Sequence, residues 1–160
     1  MTFLRAHDLS IALVHPQIAP NTGNIARLCV TTGASLHLVR PLGFLLDDKQ
    51  LKRSAMDYWP RLKLTVHDDL TAFENAMQLK RLWLCENGVG RSIWQADFTD
   101  GDVLVLGSEG PGLPADFIAR NSPQLIHIPQ VQNERCLNLS TAAGVVLMEA
   151  LRQVCDVGAG

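Results

Sequence analysis

Residues 103–114 read VLVLGSEGPGLP, and this stretch decides the class of fold. Four consecutive apolar residues predict a short strand that is buried on both faces. Three glycines follow within six positions, and glycine lets the backbone approach a ligand closely or adopt a positive φ. An ordinary strand-to-helix turn would account for one or two glycines, but not for Glu109 among them. The spacing fits neither GxGxxG nor a Walker loop, so it disfavours NAD and ATP sites.

The same strand-then-helix order continues along the chain in both directions. Strands are predicted at residues 9–14, 36–39, 62–66, 82–85, 103–106 and 125–128. Helices are predicted from Asn21 or Thr22 as N-cap to Gly33, and at 48–55, 69–79, 114–121 and 138–154. This alternation indicates an α/β fold, with a Rossmann-like, mostly parallel sheet and helices on both faces. Ligands bind such sheets beyond the carboxyl ends of the strands, so the loops that leave strands are the candidate site.

Two further loops follow predicted strands and carry polar residues. Residues 20–27 (PNTGNIAR) hold Asn24 and Arg27 beyond the cap candidates, and an arginine one turn into a helix can bind a phosphate. Residues 128–140 (IPQVQNERCLNLS) lead into the last helix, where Asn138 and Ser140 could serve only as caps. By their chemistry alone, the three loops predict a nucleotide-like ligand and leave the reaction open.

The composition favours one globular domain over residues 1–160. The 160 residues are 47 % hydrophobic and 19 % charged, which suits a well-buried core rather than disorder. No apolar run reaches the roughly 18–20 residues of a membrane span, and residues 1–8 are too polar for a signal peptide. The four cysteines show neither CxxC spacing nor a metal-ligand pattern with the five histidines. We therefore expect a cytoplasmic protein with reduced thiols, no membrane association and no metal.

The charge is unevenly distributed along the chain. A net charge of −2 argues against a basic surface that covers the whole protein. Six of the 14 basic residues nevertheless lie between positions 40 and 63. Lys49, Lys52 and Arg53 are spaced to share one face of the predicted helix 48–55. That face is either a solvated surface or an RNA-binding patch.

The three loops together resemble a known set of motifs. Residues 21–24 (NTGN) with Arg27, residues 107–114 (GSEGPGLP) and residues 128–140 resemble the three motifs of the SPOUT methyltransferases, in the branch of the TrmH-type 2′-O-methyltransferases. Their order and separation fit, and the resemblance spans nearly the whole chain. Within the branch, residues 41–44 (PLGF) and 47–58 are similar to the small enzymes that methylate the ribose 2′-oxygen of the tRNA wobble nucleotide.

The resemblance implies a SPOUT fold with a trefoil knot over about residues 81–155, and a homodimer that packs through the first and last helices. It implies a tRNA substrate, S-adenosylmethionine as methyl donor and S-adenosylhomocysteine as product. Arg27 is the implied catalytic residue, and because a guanidinium stays protonated we interpret it as a phosphate clamp and electrostatic activator. Asn24, Asn138 and Ser140 are interpreted as orienting groups, and Glu109 could accept a hydrogen bond from Arg27 or a ribose. The implied cofactor contacts are Cys85, Gly107, Glu109, Gly110, Gly112, Ile128, Pro129, Cys136 and Leu137.

Three positions depart from the pattern of that branch. Cys136 stands where serine is usual, Gln130 where methionine is usual, and Met148 where related enzymes have a tyrosine. These departures bear on the RNA substrate more than on the cofactor fold. Two alternatives therefore stay open: methylation of ribosomal RNA or of another tRNA position, and a non-catalytic RNA-binding protein on the same scaffold.

Overall fold

A parallel β-sheet lies at the centre of the protein. The computed structural model describes residues 3–47, 49, 51, 53 and 56–155. The strands are β1 Ser10–Val14, β2 Ser35–Val39, β3 Leu64–His67, β4 Leu82–Cys85, β5 Arg91–Ser92, β6 Val103–Leu106 and β7 Leu125–His127. Across the described residues these seven strands follow the order β3-β2-β1-β6-β4-β7-β5, and each neighbouring pair is parallel. The carboxyl ends of all strands therefore meet at one edge.

Among the described residues, four helices with defined bounds cover this sheet. They are α1 Ala19–Thr32, α2 Leu70–Ala76, α3 Ala115–Arg120 and α4 Leu139–Val154. Short 3-10 helices lie at Met56–Arg61, Ile93–Gln95 and Ser122–Gln124. Lys49, Leu51 and Arg53 also have helical backbone, with Leu51 buried and the two basic residues exposed.

Each face of the sheet has its own hydrophobic core. On one face, Ile11 and Leu13 of β1 pack in a cluster with α1 and α4. On the other face, Ala12 and Val14 pack in a cluster with Phe73 of α2 and Phe117 of α3. Alternate residues of a strand point to opposite faces, so a strand with a core on each side must be apolar throughout. This explains why β1 and β6 are buried at every position.

The structure confirms the α/β class and the parallel sheet, with differences at the ends of elements. Helix α1 begins at Ala19, before the predicted caps, and Gly33 ends it at φ 86°. Asn21 and Thr22 therefore lie inside its first turns, and neither is the N-cap. Helix α2 is shorter than predicted, with the Asp69 carboxylate accepting from the Ala72 N–H at 2.7 Å. Strand β5 was not predicted, since two residues carry no periodicity.

Among the described residues, no helix combines the length and apolar character needed to cross a membrane.

Candidate active site

A cleft of about 370 Å³ opens at the carboxyl edge of the sheet. That volume lies within the range of about 300–1,000 Å³ that is typical of small-molecule sites. The walls come from the segments that follow β4, β6 and β7, and from the starts of α1 and α4. The lining residues are Ile18, Asn21, Cys85, Glu86, Asn87, Leu106, Gly107, Ser108, Glu109, Gly110, Pro111, Gly112, Ile128, Gln130, Cys136, Leu137, Asn138, Leu139 and Ala142.

The loop at residues 107–112 folds back on itself at the floor of this cleft. The Ser108 N–H donates to the Gly112 carbonyl at 3.2 Å, and the Gly112 N–H donates to the Ser108 carbonyl at 3.0 Å. A Cβ at Gly107 would collide with the backbone of Gly112, and Gly112 itself has φ 73°. Both positions thus require glycine for the loop to close. Gly110 differs, because a Cβ there would meet nothing within 4 Å.

Glu86, directly after β4, fixes the glycine loop to the sheet. Its Oε2 accepts from the Leu113 N–H at 3.0 Å, and its Oε1 accepts from the Asn87 N–H at 3.2 Å. Burial, together with the charge of Glu86, raises the pKa of the neighbouring Cys85 thiol to about 12. Cys85 therefore stays protonated and forms an apolar wall rather than a nucleophile. Glu86 and Asn87 were not predicted as site residues from the sequence, although ligands bind beyond the ends of strands and both residues directly follow β4.

Glu109 caps helix α1 from a distant part of the chain. Its carboxylate accepts from the backbone N–H of Gln17 at 2.7 Å, from that of Ile18 at 3.1 Å and from Asn21 Nδ2 at 3.3 Å. Ile18 is the N-cap residue and has no capping side chain; Glu109 binds its N–H and that of Gln17, just before the first helical residue Ala19. A carboxylate also interacts favourably with the positive end of the helix dipole. The expected contact of Glu109 with Arg27 is not found in the described structure; the carboxylate binds the start of α1 instead.

Two asparagines continue these contacts from α1 to α4. Asn138 Nδ2 donates to Asn21 Oδ1 at 3.0 Å. Asn138 Oδ1 accepts from the Ser140 N–H at 2.9 Å, the Ser140 hydroxyl at 2.7 Å and the Thr141 N–H at 3.3 Å, which caps α4. Glu109, Asn21, Asn138 and Ser140 thus form one hydrogen-bonded chain through all three motif loops.

The residues interpreted as catalytic do not all lie at the cleft. Asn138 lines it, whereas Ser140, Asn24 and Arg27 are not among the lining residues. Asn24 and Arg27 belong to the exposed stripe of α1, which recurs at positions 20, 24, 27 and 31. The guanidinium of Arg27 lies 5.2 Å from the ring centroid of Tyr58.

Of the implied cofactor contacts, all but one line the cleft. Pro129 is the exception, while its neighbours Ile128 and Gln130 do line it. The cleft therefore gathers eight of the nine implied positions from four separate segments of the chain.

Of the predicted RNA-binding residues, Lys49 and Arg53 are exposed, and Lys52 lies outside the described residues. In the described ranges, no group of three or more His, Cys, Asp or Glu side chains could hold a metal ion.

Known proteins resemble this chain in both sequence and structure. Residues 8–148 match the SpoU rRNA Methylase family. A tRNA (cytidine(34)-2′-O)-methyltransferase of Methylovorus glucosotrophus (strain SIP3-4) is 45 % identical over 151 residues, which cover 93 % of this chain and 97 % of that protein. A solved structure described as giving insights into the 2-OH methylation of C/U34 on tRNA is 41 % identical, with a TM-score of 0.88 over 92 % of this chain and 96 % of that one.

A more distant structure shares the fold. The SpoU methyltransferase AviRb from Streptomyces viridochromogenes, in complex with the cofactor AdoMet, is 22 % identical and has a TM-score of 0.83 over 94 % of this chain and 59 % of that one. The match to the family extends from before β1 into α4 and includes all three loops that build the cleft. The chain therefore belongs to the SpoU rRNA Methylase family, and its fold is that of the SPOUT methyltransferases.

Proposed function

We propose that this protein is an S-adenosylmethionine-dependent methyltransferase that modifies the ribose 2′-hydroxyl of the wobble nucleotide of tRNA. The observation that carries the proposal is the cleft at the carboxyl edge, whose walls are the three motif loops of the family. The tRNA and the position follow from a relative that is 45 % identical over almost its whole length and is named for cytidine 34.

The residues of the cleft fit S-adenosylmethionine. Gly107 and Gly112 keep the loop backbone free of side chains, so peptide groups can hold a ligand at close range. Ile128, Leu137 and Leu139 supply apolar walls. When bound, S-adenosylmethionine supplies a methyl group on a positively charged sulfur. The cleft contains the carboxylates of Glu86 and Glu109 and no lysine or arginine among its lining residues, which suits a cationic ligand.

The chain's own residues have two tasks in this reaction. The first is orientation, and the amide of Asn138 is held on both sides, by Asn21 and by the start of α4. A side chain fixed in this way loses little freedom when substrate binds. The second task is to assist loss of the hydroxyl proton. A guanidinium group is a permanent cation in proteins, so the role of Arg27 is to stabilise developing negative charge on the ribose oxygen or an adjacent phosphate.

A homodimer would bring Arg27 to a cleft. Arg27 and Asn24 face outward from α1, away from the cleft of their own chain. Helix α4 packs beside α1 and exposes Val145 and Met148, the latter with 53 % of its surface accessible. Two copies joined through these helices would cover the apolar residues and present Arg27 of each copy to its partner. Light scattering should give twice the mass of the chain, and Met148→Arg should give monomers; a monomeric wild-type protein would contradict this proposal.

We also propose that the chain forms a single domain, with a trefoil knot over about residues 81–155. Membership in the family supports it, and β6 and β7 lie on opposite sides of β4 in the sheet. An experimental structure whose backbone contains no knot in this segment would contradict this proposal. A tRNA-modifying role also implies a cytoplasmic location.

The decisive experiment is nucleoside mass spectrometry of tRNA from cells with and without the gene. We expect 2′-O-methylcytidine or a 2′-O-methylated uridine at position 34 to disappear with the gene and to return with a plasmid copy. Loss of methylation in ribosomal RNA, or at another tRNA position, would identify that site as the substrate instead. Unchanged RNA would favour a non-catalytic protein.

Arg27→Ala should abolish methyl transfer to tRNA while calorimetry with S-adenosylhomocysteine gives the wild-type affinity, because the proposed partner of Arg27 is the RNA and not the cofactor. Arg27→Lys should recover little activity, since an ammonium cannot reproduce a planar, two-pronged contact. Wild-type turnover by the alanine variant would remove Arg27 from the mechanism.

A further inference from the structure

Tyr58 holds two arginines on its ring. The guanidinium carbons of Arg27 and Arg61 lie 5.2 and 5.1 Å from the ring centroid, within the range of cation–π attraction. Since both carbons lie near 5 Å from one centroid, they are within about 10 Å of each other. Arg27 comes from α1 and Arg61 from the 3-10 helix Met56–Arg61, so the ring joins two separate elements.

The local structure accounts for this arrangement. In a 3-10 helix, residues three apart lie on one face, which places Arg61 above Tyr58. Trp59, between them in sequence, is half-buried and packs against the core of the α1 face. Trp59 therefore fixes the 3-10 helix to the core, and the ring of Tyr58 lies against Arg27 of α1.

The charges of the pair are largely uncompensated. Within the described ranges, no carboxylate lies within 4.0 Å of Arg27. Arg61 has Asp57 at 3.8 Å, but both side chains are mostly exposed, and such pairs contribute little. By contrast, Arg120 is paired with Glu74 at 2.9 Å. Two like charges held within about 10 Å, with only the exposed Asp57 carboxylate beside them, repel each other weakly in the free protein, and a bound anion would replace that repulsion with attraction.

We propose that Tyr58 is a positioning residue: its ring holds Arg27 and Arg61 as one cationic pair that binds the phosphate backbone of the RNA substrate. This inference rests on the proposed function, since it takes Arg27 as the residue that acts on RNA. It assigns a role to Tyr58 and Arg61, which lie outside the cleft, and it explains how a long, exposed arginine is kept in a defined place. An ordered guanidinium loses less conformational entropy when it binds a phosphate.

The test compares wild-type protein with Tyr58→Leu, Tyr58→Phe and Arg61→Gln, using total tRNA from cells that lack the gene as substrate. Tyr58→Leu removes the ring and retains both charges. We expect kcat/KM for tRNA to fall about 5–30-fold, which corresponds to the removal of two cation–π interactions, with unchanged affinity for S-adenosylhomocysteine. Tyr58→Phe retains the ring and should recover most of that decrease. Arg61→Gln should lower the salt slope of tRNA binding by about 0.7.

A double-mutant cycle separates positioning from a general structural role. If Tyr58 acts through the arginines, the fold-decrease in kcat/KM of the double variant will be smaller than the product of the fold-decreases of Tyr58→Leu and Arg61→Gln. Independent effects, or a Tyr58→Leu variant as active as wild type, would overturn the proposal. Should that variant fail to bind S-adenosylhomocysteine and so prove misfolded, an unchanged salt slope in Arg61→Gln overturns it alone.

Arg120→Gln is the matched control, because it removes the same charge at a site already neutralised by Glu74. Its salt slope should equal that of wild type, and an equal decrease in this control would attribute the Arg61 effect to net charge and overturn the proposal. Absence of methyl transfer by the wild-type protein would refute the proposed function. Normal transfer with unaffected variants would refute only the role of Tyr58.

Discussion

Replacement of Glu109 by alanine should destabilise the protein in the absence of any ligand. The carboxylate accepts three hydrogen bonds at the start of α1, from Gln17, Ile18 and Asn21. Loss of such hydrogen bonds costs about 0.5–1.5 kcal/mol net, and loss of a charge at a helix N-terminus costs about 0.3–1 kcal/mol. Together these give a decrease of roughly 1–3 kcal/mol in the free energy of unfolding, and roughly 2–12 °C in Tm for a domain of this size.

The assay is urea unfolding followed by circular dichroism, without cofactor. Glu109→Gln should recover only part of the stability, because its amide nitrogen must face a backbone N–H that the carboxylate now accepts from. Glu134→Ala removes an exposed carboxylate from a neighbouring loop and should change stability by less than about 0.5 kcal/mol. If Glu109→Ala unfolds at the wild-type midpoint but binds S-adenosylhomocysteine weakly, Glu109 is a ligand contact and the capping role is wrong.

Three further predictions follow from the geometry. Gly110→Val should retain the fold and lose the heat of S-adenosylhomocysteine binding, because its side chain extends into the open cleft, whereas Gly107→Val should lower Tm by preventing the loop from closing. Lys49→Ala with Arg53→Ala should lower the salt slope of tRNA binding by about 0.7–0.9 for each phosphate that the protein no longer neutralises. Burial and the charge of His67 lower the pKa of His37, on β2, to about 4. The unfolded chain therefore binds more protons than the folded one, and the free energy of unfolding should decrease as the pH is lowered from 6.5 to 4.

Each of these has a result that would contradict it. Undiminished heat in Gly110→Val would show that the ligand does not pass over that position. A salt slope that is unchanged by removal of the basic side chains would identify the basic helix as a solvated surface. His37→Phe should flatten the decrease in urea midpoint between pH 6.5 and pH 4, and His15→Asn should not; equal decreases in all three proteins would assign the effect to other groups.

The sheet could be predicted because its determinants are local. Strand β6 is four apolar residues with a core on each side, and its burial pattern follows directly from its sequence. Gly33 could be predicted as the end of α1, because its positive φ requires glycine and nothing else from the fold. Asn138 could likewise be predicted as the cap of α4, since its partners lie two and three residues further along.

The start of α1 could not be predicted, because its cap comes from elsewhere. Local rules favour Asn21 or Thr22 as the cap, but the residues that enter the helix, Gln17 and Ile18, are held through their N–H groups by Glu109, about 90 residues later in the chain. Thr22 is instead fully buried, and its hydroxyl has no partner among the described residues. The outward position of Arg27 on α1 likewise does not follow from its motif. A motif gives the identity of its residues, whereas the phase of the helix decides which of them face the cleft.

Because hydrogen bonds join Glu109 to Asn21 and Asn21 to Asn138, the cleft forms only when the whole domain has folded. Its two side-chain contacts join residues 88 and 117 positions apart, so a partly folded chain cannot contain the site. A ligand that bridges these loops consequently binds the native state and not the unfolded chain. At a concentration of 100 Kd it would add about 2.7 kcal/mol to the free energy of unfolding. Thermal shift with S-adenosylhomocysteine would thus report the integrity of all three loops at once, before any RNA is added.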